Sequence, residues 1–226
     1  MKLYHYTNLE CFLRIWQKKI LLFSKSHKTT NNDFFEKRKI FNITGDCLSV
    51  TRQEWDLFSD NVDKFLQISL NHDYEDLEGC LSSMMWGQYA DNGNGVCIEL
   101  DSDKLKIQEG TIWSNMIEYL KMHPKVDVDA NIIKDPTSHV DFIVSHIDDI
   151  FFKKQRHWAF ENEFRLISNT VPFLDIKDAI VSIHVPNNCG HTSFVVRKVV
   201  GDDSKVKYII AIPTDEGMVL KSIPFR

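Results

Sequence analysis

Four short apolar segments follow one another near the C-terminal end of the chain, and they constrain the fold more than any other feature. Residues 179–185, 193–200, 207–212 and 218–223 each have the length and the β-branched composition of a strand. A run of closely spaced strands of this kind is typical of antiparallel sheets. The pattern therefore predicts a largely antiparallel sheet at this end of the chain.

Upstream, helices and strands are mixed without regular alternation. Apolar residues recur at helical spacing in residues 9–16, 55–65 and 140–151, whereas residues 96–100 alternate as in a strand with one buried face. The missing βα repeat argues against a doubly wound parallel sheet. With 226 residues and 43% hydrophobic content, the chain can bury one sizeable core. We predict a single α+β domain over residues 1–226, with a mostly antiparallel sheet and flanking helices.

Composition argues against several classes of protein. No stretch approaches the ~20 apolar residues of a membrane span, and the first residues do not form a secretory signal. Five cysteines, without a Cys-x-x-Cys pair, indicate neither a disulfide framework nor a cysteine zinc site. The net charge of -5 gives no overall attraction to nucleic acid or to an anionic membrane. We expect a cytoplasmic protein that does not bind membranes.

The N-terminal segment predicts a strand followed directly by a helix. Alternation puts three side chains on one face and two on the other, namely Leu3, His5 and Thr7 against Tyr4 and Tyr6. The pattern Thr7-x-x-Glu10 fits a capping box, so Thr7 is predicted to begin the helix. His5 then lies just before a helix N-terminus, where backbone N–H groups can meet a phosphate.

Three further local patterns predict helices and loops. A second capping box, Thr51-x-x-Glu54, opens the helix over residues 55–65, and Ser138 is predicted to begin one helix over residues 140–151. Residues 121–136 are rich in Asp, Lys and Pro and are predicted to form a loop.

The segment around residue 85 predicts a short capped helix. Residues 80–82 are predicted to be extended, and either Ser82 or Ser83 should cap a helix over residues 84–90. Within that helix, Trp86 and Tyr89 present rings that either stack on a planar ligand or fill the core. Both interpretations remain open at the level of the sequence.

A late segment concentrates charge on one side of the chain. Glu161, Glu163 and Arg165 fall on the same face of a strand predicted to begin at Phe160. Burying these charges without partners would be costly, so the face borders water, a ligand or a cleft. A carboxylate here could bind a ribose hydroxyl or stabilise positive charge in a transition state, tuned by its charged neighbours. Structural ion pairing accounts for the pattern equally well.

Other motifs for chemistry are missing from the sequence. His139 and His146 share a helical face, but there is no H-E-x-x-H or paired-cysteine motif, so no metal site is predicted. The P-loop, dinucleotide-binding and nucleophile-elbow patterns are also missing.

Taken together, the segments resemble the bacterial family labelled "domain of unknown function 2971". The resemblance rests on the following segments: 3–7, the Asn-Asp loop at 32–36, 80–90, 95–99 and 154–165.

The layout is also similar to the ADP-ribosyltransferase superfamily. That resemblance implies a split antiparallel sheet and NAD as a substrate. It implies that a histidine contacts a ribose hydroxyl, an aromatic ring stacks near the nicotinamide and a glutamate acts at the nicotinamide ribose. These roles fall on His5, Tyr89 and Glu163, with Thr7 assisting the histidine and Glu161 as the first glutamate of the pair.

The same resemblance extends the NAD site to Tyr6, Ser82, Trp86 and Arg165. One position departs from the superfamily pattern, because Tyr6 stands where a glycine usually follows the histidine. The bulk of Tyr6 would narrow or close the nicotinamide pocket.

The leading hypothesis is an NAD-using ADP-ribosyltransferase-like enzyme, a bacterial toxin or phage-defence effector that modifies a protein or nucleic acid without a metal. A non-catalytic module that binds a nucleotide or a protein is the alternative. A metal-dependent nuclease using Glu161, Glu163 and an upstream Asp is a third hypothesis, for which the sequence shows no lysine beside the carboxylates.

Overall fold

The computed structural model describes residues 1–25, 40–122, 124–187, 190–214 and 217–224. The predicted Asn-Asp loop at residues 32–36 lies outside the described residues. The helices are α1 (Leu9–Lys18), α2 (Arg52–Val62), α3 (Ser83–Tyr89), α4 (Ala130–Lys134), α5 (His139–Ser145), α6 (Ile147–Phe151) and α7 (Gly190–Val200).

The strands are β1 (Lys2–Thr7), β2 (Ile20–Leu22), β3 (Ser24–Lys25), β4 (Ile40–Thr44), β5 (Leu66–His72), β6 (Val96–Asp101), β7 (Trp113–Met116), β8 (Glu118–Leu120), β9 (Lys125–Asp129), β10 (Lys153–Gln155), β11 (Glu163–Ser168), β12 (Phe173–Asp175), β13 (Ile180–Pro186), β14 (Val206–Thr214) and β15 (Gly217–Pro224). Within the described ranges, no helix is both long and apolar enough to span a bilayer.

One large sheet organises the molecule. Its strand order is β15-β14-β13-β6-β1-β5-β11-β7, and β3 also pairs with β5. The pairs in this sheet are antiparallel except for β13 with β14. The structure therefore confirms a mixed α and β, sheet-rich body with flanking helices, in which most neighbouring strands are antiparallel.

The sheet opens between β1 and β5. These two strands are paired at only two positions of β1, Leu3 and Tyr4. Strand β11 occupies one edge of β5 from residue 66 to residue 71, so β3, which pairs with Leu66 and Gln67, must lie on the same edge of β5 as β1. That edge is left open around Ser69. The candidate functional site lies in this opening.

Helices cover both faces of the sheet. On one face, Phe12 of α1 and Val196 of α7 pack in a cluster that also contains Leu3. On the other face, Tyr4 and Tyr6 pack with Trp86 of α3 and with the 3₁₀ helix Gly79–Leu81. Leu3 and the two tyrosines therefore point to opposite faces, as the alternation of the sequence predicts. A third cluster joins α2 to α4, α5 and α6 around Phe58 and Phe151.

Side-chain caps define several helix starts. The Thr51 and Glu54 capping box of α2 is confirmed, and Ser82 caps α3 by accepting a hydrogen bond from the Met85 N–H. The prediction that Thr7 caps the first helix is wrong. Asn8 takes that role, with its side-chain oxygen accepting from the Cys11 N–H at 2.8 Å. Thr7 remains within β1 because it pairs with Val96.

Two predictions of secondary structure based on composition are wrong. The predicted strand at residues 193–200 belongs to helix α7, whose buried face carries Ser193 and Val196 at helical spacing. The predicted loop at residues 121–136 contains β9 and α4. In β9, buried Val126 and Val128 alternate with exposed charged residues, which is the pattern of a half-buried strand.

Three further predictions, on two helical segments and on the burial of β6, need smaller corrections. The predicted helix at residues 140–151 is divided at His146 into α5 and α6, and Ser138 makes no side-chain cap for α5. The predicted extended segment at residues 80–82 mostly forms the 3₁₀ helix Gly79–Leu81. Strand β6 is buried on both faces rather than one, because Cys97 and Glu99 are enclosed as well.

A buried polar cluster explains how β6 tolerates a central carboxylate. Glu99 accepts a hydrogen bond from Ser182, and one of its oxygens lies 2.9 Å from His184 Nε2 and 3.2 Å from Lys207 Nζ. Burial alone would raise the pKa of Glu99, but the hydrogen bonds from His184 and Ser182 and the charge of Lys207 outweigh it and lower this pKa to about 2.

We predict that Glu99→Gln lowers the free energy of unfolding at pH 7 by on the order of 3 kcal/mol. A depressed carboxyl pKa stabilises the fold above the unfolded-state pKa, and this stabilisation is lost as the pH falls toward the folded-state value. The difference between wild type and variant, measured by urea denaturation, should therefore narrow from about pH 5 to about pH 3. Glu118→Gln, at an exposed carboxylate, is the control; a difference that stays constant with pH would contradict the prediction.

Candidate functional site

A cavity of about 220 Å³ lies in the opening between β1 and β5. It gathers side chains from distant parts of the chain. Its lining residues are Tyr4, His5, Tyr6, Ser24, Lys25, Gln67, Ser69, Leu70, Asn71, Met85, Tyr89, Lys154, Glu161 and Glu163. Three segments that the sequence analysis singled out separately, around residues 5, 89 and 161–163, thus meet at one place.

Local backbone geometry brings both glutamates to the cavity. Glu161 ends the 3₁₀ helix Arg156–Glu161, and Glu163 begins β11. Between them, Asn162 adopts a left-handed conformation with φ 40°, which asparagine tolerates better than most residues. The prediction that Glu161 shares a strand face with Glu163 is therefore wrong. The turn at Asn162 nevertheless leaves both side chains lining the cavity.

Neighbouring strands fix this turn by hydrogen bonds. Asn71 Nδ2 donates to the Glu161 carbonyl oxygen at 2.5 Å, and the His72 N–H donates to the Asn162 carbonyl oxygen at 3.0 Å. The Glu163 N–H donates to the Tyr119 hydroxyl oxygen at 3.0 Å. The turn is thus tied to β5 on one side and to β8 on the other.

The two carboxylates belong to a buried ion cluster with two cations. Lys154 Nζ lies 2.5 Å from a Glu161 oxygen and 3.5 Å from a Glu163 oxygen. Arg165 donates from Nε and Nη2 to the two oxygens of Glu163, at 2.7 and 2.9 Å. None of the four residues is more than 6% exposed. The cluster therefore balances two negative charges with two positive charges away from water.

Arg165 supports the site from behind. It is fully buried, and its Nη1 donates to the Phe151 carbonyl oxygen at 2.6 Å. It does not line the cavity, so it contacts Glu163 rather than the cavity space.

The sequence reasoning missed the role of Lys154. The basic segment around it reads as solvated surface, but β10 pairs with β8 and directs Lys154 inward, with its Nζ 4.9 Å from the centre of the Trp158 ring. Only the family resemblance, which includes residues 154–165, pointed to this position. The expectation that no lysine accompanies the carboxylates is corrected by its contacts with Glu161 and Glu163.

Burial shifts the titration of the groups around Glu161. Burial has the largest effect and raises the pKa of Glu161; the Lys154 ammonium opposes this rise, and the Glu163 carboxylate adds to it. The Tyr89 hydroxyl donates a hydrogen bond to Glu161. Burial and the Glu161 charge raise the pKa of Tyr89, so its phenol stays protonated and able to donate.

His5 enters the cavity as a neutral side chain. It keeps some solvent contact through the cavity but is otherwise enclosed by protein. Burial lowers its pKa to about 4, and a hydrogen bond with the Ser69 backbone opposes this change only in part. At pH 7 its imidazole therefore offers an uncharged donor and acceptor.

The remaining predicted residues divide between cavity and core. Tyr6 lines the cavity, but its hydroxyl donates to the Gly79 carbonyl oxygen at 2.5 Å and its ring packs edge-on against Trp86. Trp86 is a core residue, with Nε1 donating to the Cys80 carbonyl oxygen at 2.7 Å. Neither Thr7 nor Ser82 lines the cavity. Ser82 caps α3 and lines a separate groove.

Two amide oxygens at the cavity wall have no hydrogen-bond partner among the described residues. They are Gln67 Oε1 and Asn71 Oδ1, and both side chains are nearly buried. Unpaired buried acceptors are costly, and most are explained by a ligand, a water or a functional role. Both oxygens have almost no accessible surface, and Asn71 Oδ1 lies close to Gly79, which has no side chain to displace it.

The described ranges contain no group of three or more His, Cys, Asp or Glu side chains arranged to hold a metal ion. The two glutamates of the cavity are instead paired with Lys154 and Arg165.

Comparison with known proteins gives one match. Residues 85–166 match the model of a family described as "Protein of unknown function (DUF2971)". The matched segment holds Tyr89, Lys154, Glu161 and Glu163 of the cavity, and it supports the first resemblance drawn from the sequence. No curated protein and no solved structure matches the chain.

We predict that Arg165→Met destabilises the protein by about 3–5 kcal/mol, because it leaves the buried Glu163 carboxylate without its main partner. Combining it with Glu163→Met should recover a large part of this loss, since the double variant buries no unpaired charge at that position. Urea denaturation measures both effects. Arg14→Met, at an exposed ion pair, should change little; an equal effect at the two arginines would refute the account of the ion cluster.

Proposed function

We propose that the protein is an NAD-dependent ADP-ribosyltransferase-like enzyme that uses this cavity. The single observation that supports it is the convergence of His5, Tyr89, Glu161 and Glu163 on one cavity, although they come from distant segments. The resemblance to that superfamily assigns roles to these same residues. Convergence of residues so far apart in sequence favours a common chemical role over separate structural ones.

The chemistry that suits these side chains is cleavage of an N-glycosidic bond. As the bond between nicotinamide and ribose breaks, its electron pair leaves with nicotinamide and positive charge develops on the ribose. A buried carboxylate stabilises such an oxocarbenium-like state, as in glycoside hydrolysis. Glu163 would supply the negative charge that stabilises this state, with Glu161 beside it. An acceptor would then attack the sugar carbon and lose its proton to water.

The other lining residues fit the binding of a nucleoside. His5 is neutral and can exchange hydrogen bonds with a ribose hydroxyl. Tyr6 and Tyr89 offer ring surface for nicotinamide. Lys25, at the other side of the cavity, is exposed and carries the positive charge that a pyrophosphate would meet.

The size of the cavity limits what it encloses. At about 220 Å³ it is smaller than the ~300–1,000 Å³ of pockets that enclose a whole drug-sized ligand. The proposal therefore seats the nicotinamide and its ribose in the cavity and leaves the adenosine half near the surface. The acceptor is a macromolecule, protein or nucleic acid, and a cytoplasmic toxin or phage-defence effector is the context proposed from the resemblance.

We predict that Glu163→Gln and Glu161→Gln each reduce nicotinamide release from NAD by at least about 100-fold, the scale expected when a group that stabilises developing charge is lost. Release is measured with the purified full-length chain, and thermal melting confirms that each variant is folded. Glu99→Gln is the matched control, since it also neutralises a buried carboxylate of the sheet but outside the cavity.

Three outcomes would count against the assignment. Unchanged nicotinamide release in both cavity variants would show that neither Glu161 nor Glu163 acts in the reaction. An equal loss in Glu99→Gln would indicate a general loss of stability. Activity on nucleic acid that disappears with a chelator would favour the metal-dependent nuclease instead.

A second candidate is a non-catalytic module that binds a nucleotide or a protein. The observation that favours it is the pairing of both carboxylates with Lys154 and Arg165, together with the bulk of Tyr6 at the cavity wall. Calorimetric titration with NAD and with ADP-ribose separates the two candidates. Binding of either ligand without nicotinamide release identifies the module.

A further inference from the structure

A second, larger concavity lies beside the ion cluster. This groove has a volume of about 1020 Å³, and the described residues that line it are uncharged and mostly apolar. Four of them, Tyr74, Leu77, Met84 and Val219, are between 44% and 51% exposed. Exposed apolar side chains that converge on one groove mark a binding surface, whereas isolated ones do not.

The groove reaches the last strand of the large sheet. Strand β15 is the last strand in the sheet order and, among the described residues, it is paired only with β14. Val219 and Leu220 are neighbours in β15, so their side chains point to opposite faces of the sheet, yet both line the groove. The groove therefore borders the terminal strand of the sheet, whose outer edge has no further paired strand among the described residues.

Charges near the groove favour one class of occupant. Exposed Glu75 and Asp76 lie in the turn between Tyr74 and Leu77, and Glu75 makes a hydrogen bond with Tyr74. On the β15 side, Lys221 is exposed. The two acidic residues outnumber this lysine, so the side of the groove at residues 75–76 suits a segment that combines apolar side chains with Lys or Arg, and it repels a phosphate backbone.

The groove and the cavity share a wall. Tyr119 and Asn162 line the groove; the Tyr119 hydroxyl accepts from the Glu163 N–H, and Asn162 separates the two glutamates. Helix α3 contributes Met84 to the groove and Met85 to the cavity. An occupant of the groove therefore lies directly beside the residues that hold the carboxylates.

The geometry points to a peptide-docking groove: an extended segment of a protein, with alternating apolar and basic side chains, adds a strand to β15. This is the β-augmentation mode, in which main-chain hydrogen bonds give affinity and the groove selects the side chains. That the bound protein is the acceptor of ADP-ribose rests on the proposed function. The docking itself depends only on the groove and the strand edge.

Selection from a random peptide library tests the groove. A phage-displayed library of 12-residue peptides is selected on the immobilised full-length chain, and the selected peptides are synthesised with a fluorescent label. We expect enrichment of peptides with alternating apolar and basic residues. Their affinity, measured by fluorescence anisotropy, should fall at least tenfold with Leu77→Asp and with Val219→Asp. N-methylation of alternate peptide nitrogens should weaken binding equally, because it removes donors to the strand edge.

Leu48→Asp is the matched control, since it replaces a leucine that is 94% exposed outside the groove. Four results would overturn the proposal. They are failure to enrich any peptide, equal binding to Leu77→Asp, insensitivity to N-methylation, and binding of labelled oligouridylate that Leu77→Asp abolishes. Nicotinamide release by the same variants is measured in parallel. If the wild type releases none, the proposed function fails while the peptide result still decides the groove.

Discussion

The buried ion cluster is the constraint on which the rest of the site depends. Removing a charged group from water costs several kcal/mol, and only close, well-oriented partners compensate for it. Glu163 has a bidentate partner in Arg165, and Lys154 lies between Glu163 and Glu161. Because all four side chains are nearly inaccessible, each of the three segments that carry them must hold its position for the others to remain buried. Replacing such a cluster by well-packed apolar residues often costs no stability, so stability alone does not account for its presence.

The opening in the sheet is what gives this cluster an accessible side. Strands β1 and β5 separate after two paired positions, and β3 closes the far end of the same edge. An unpaired stretch inside a sheet leaves backbone N–H and C=O groups without strand partners, which is unfavourable unless side chains, water or a ligand form hydrogen bonds with them. Here His5 meets the Ser69 backbone, and the cavity occupies the rest. The fold therefore forms a small polar cavity by omitting hydrogen bonds of its own ladder.

Sequence patterns predicted the parts of this arrangement that depend on local periodicity. Alternation in β1 and the Thr51 capping box are short-range signals, and they predicted the opposite orientations of Leu3 and Tyr4 and the start of α2 correctly. Predictions failed where tertiary packing overrides propensity, as in the valine-rich helix α7, which packs against β13 and β14. Lys154 could not be found from local patterns, because its burial depends on the pairing of β10 with β8, strands far apart in the sequence.

The two glutamates of the cavity are not equivalent, and their partners explain the difference. Both oxygens of Glu163 are held by the guanidinium of Arg165, whose charge does not titrate under physiological conditions. Glu161 instead receives its hydrogen bonds from the Tyr89 phenol and the Lys154 ammonium, and burial raises its pKa. The carboxylate of Glu163 is therefore held by a cation of permanent charge, whereas the raised pKa of Glu161 makes that carboxyl easier to protonate than an exposed glutamate. Because Lys154 contacts both carboxylates, any change in the charge of Glu161 also changes the electrostatic environment of Glu163.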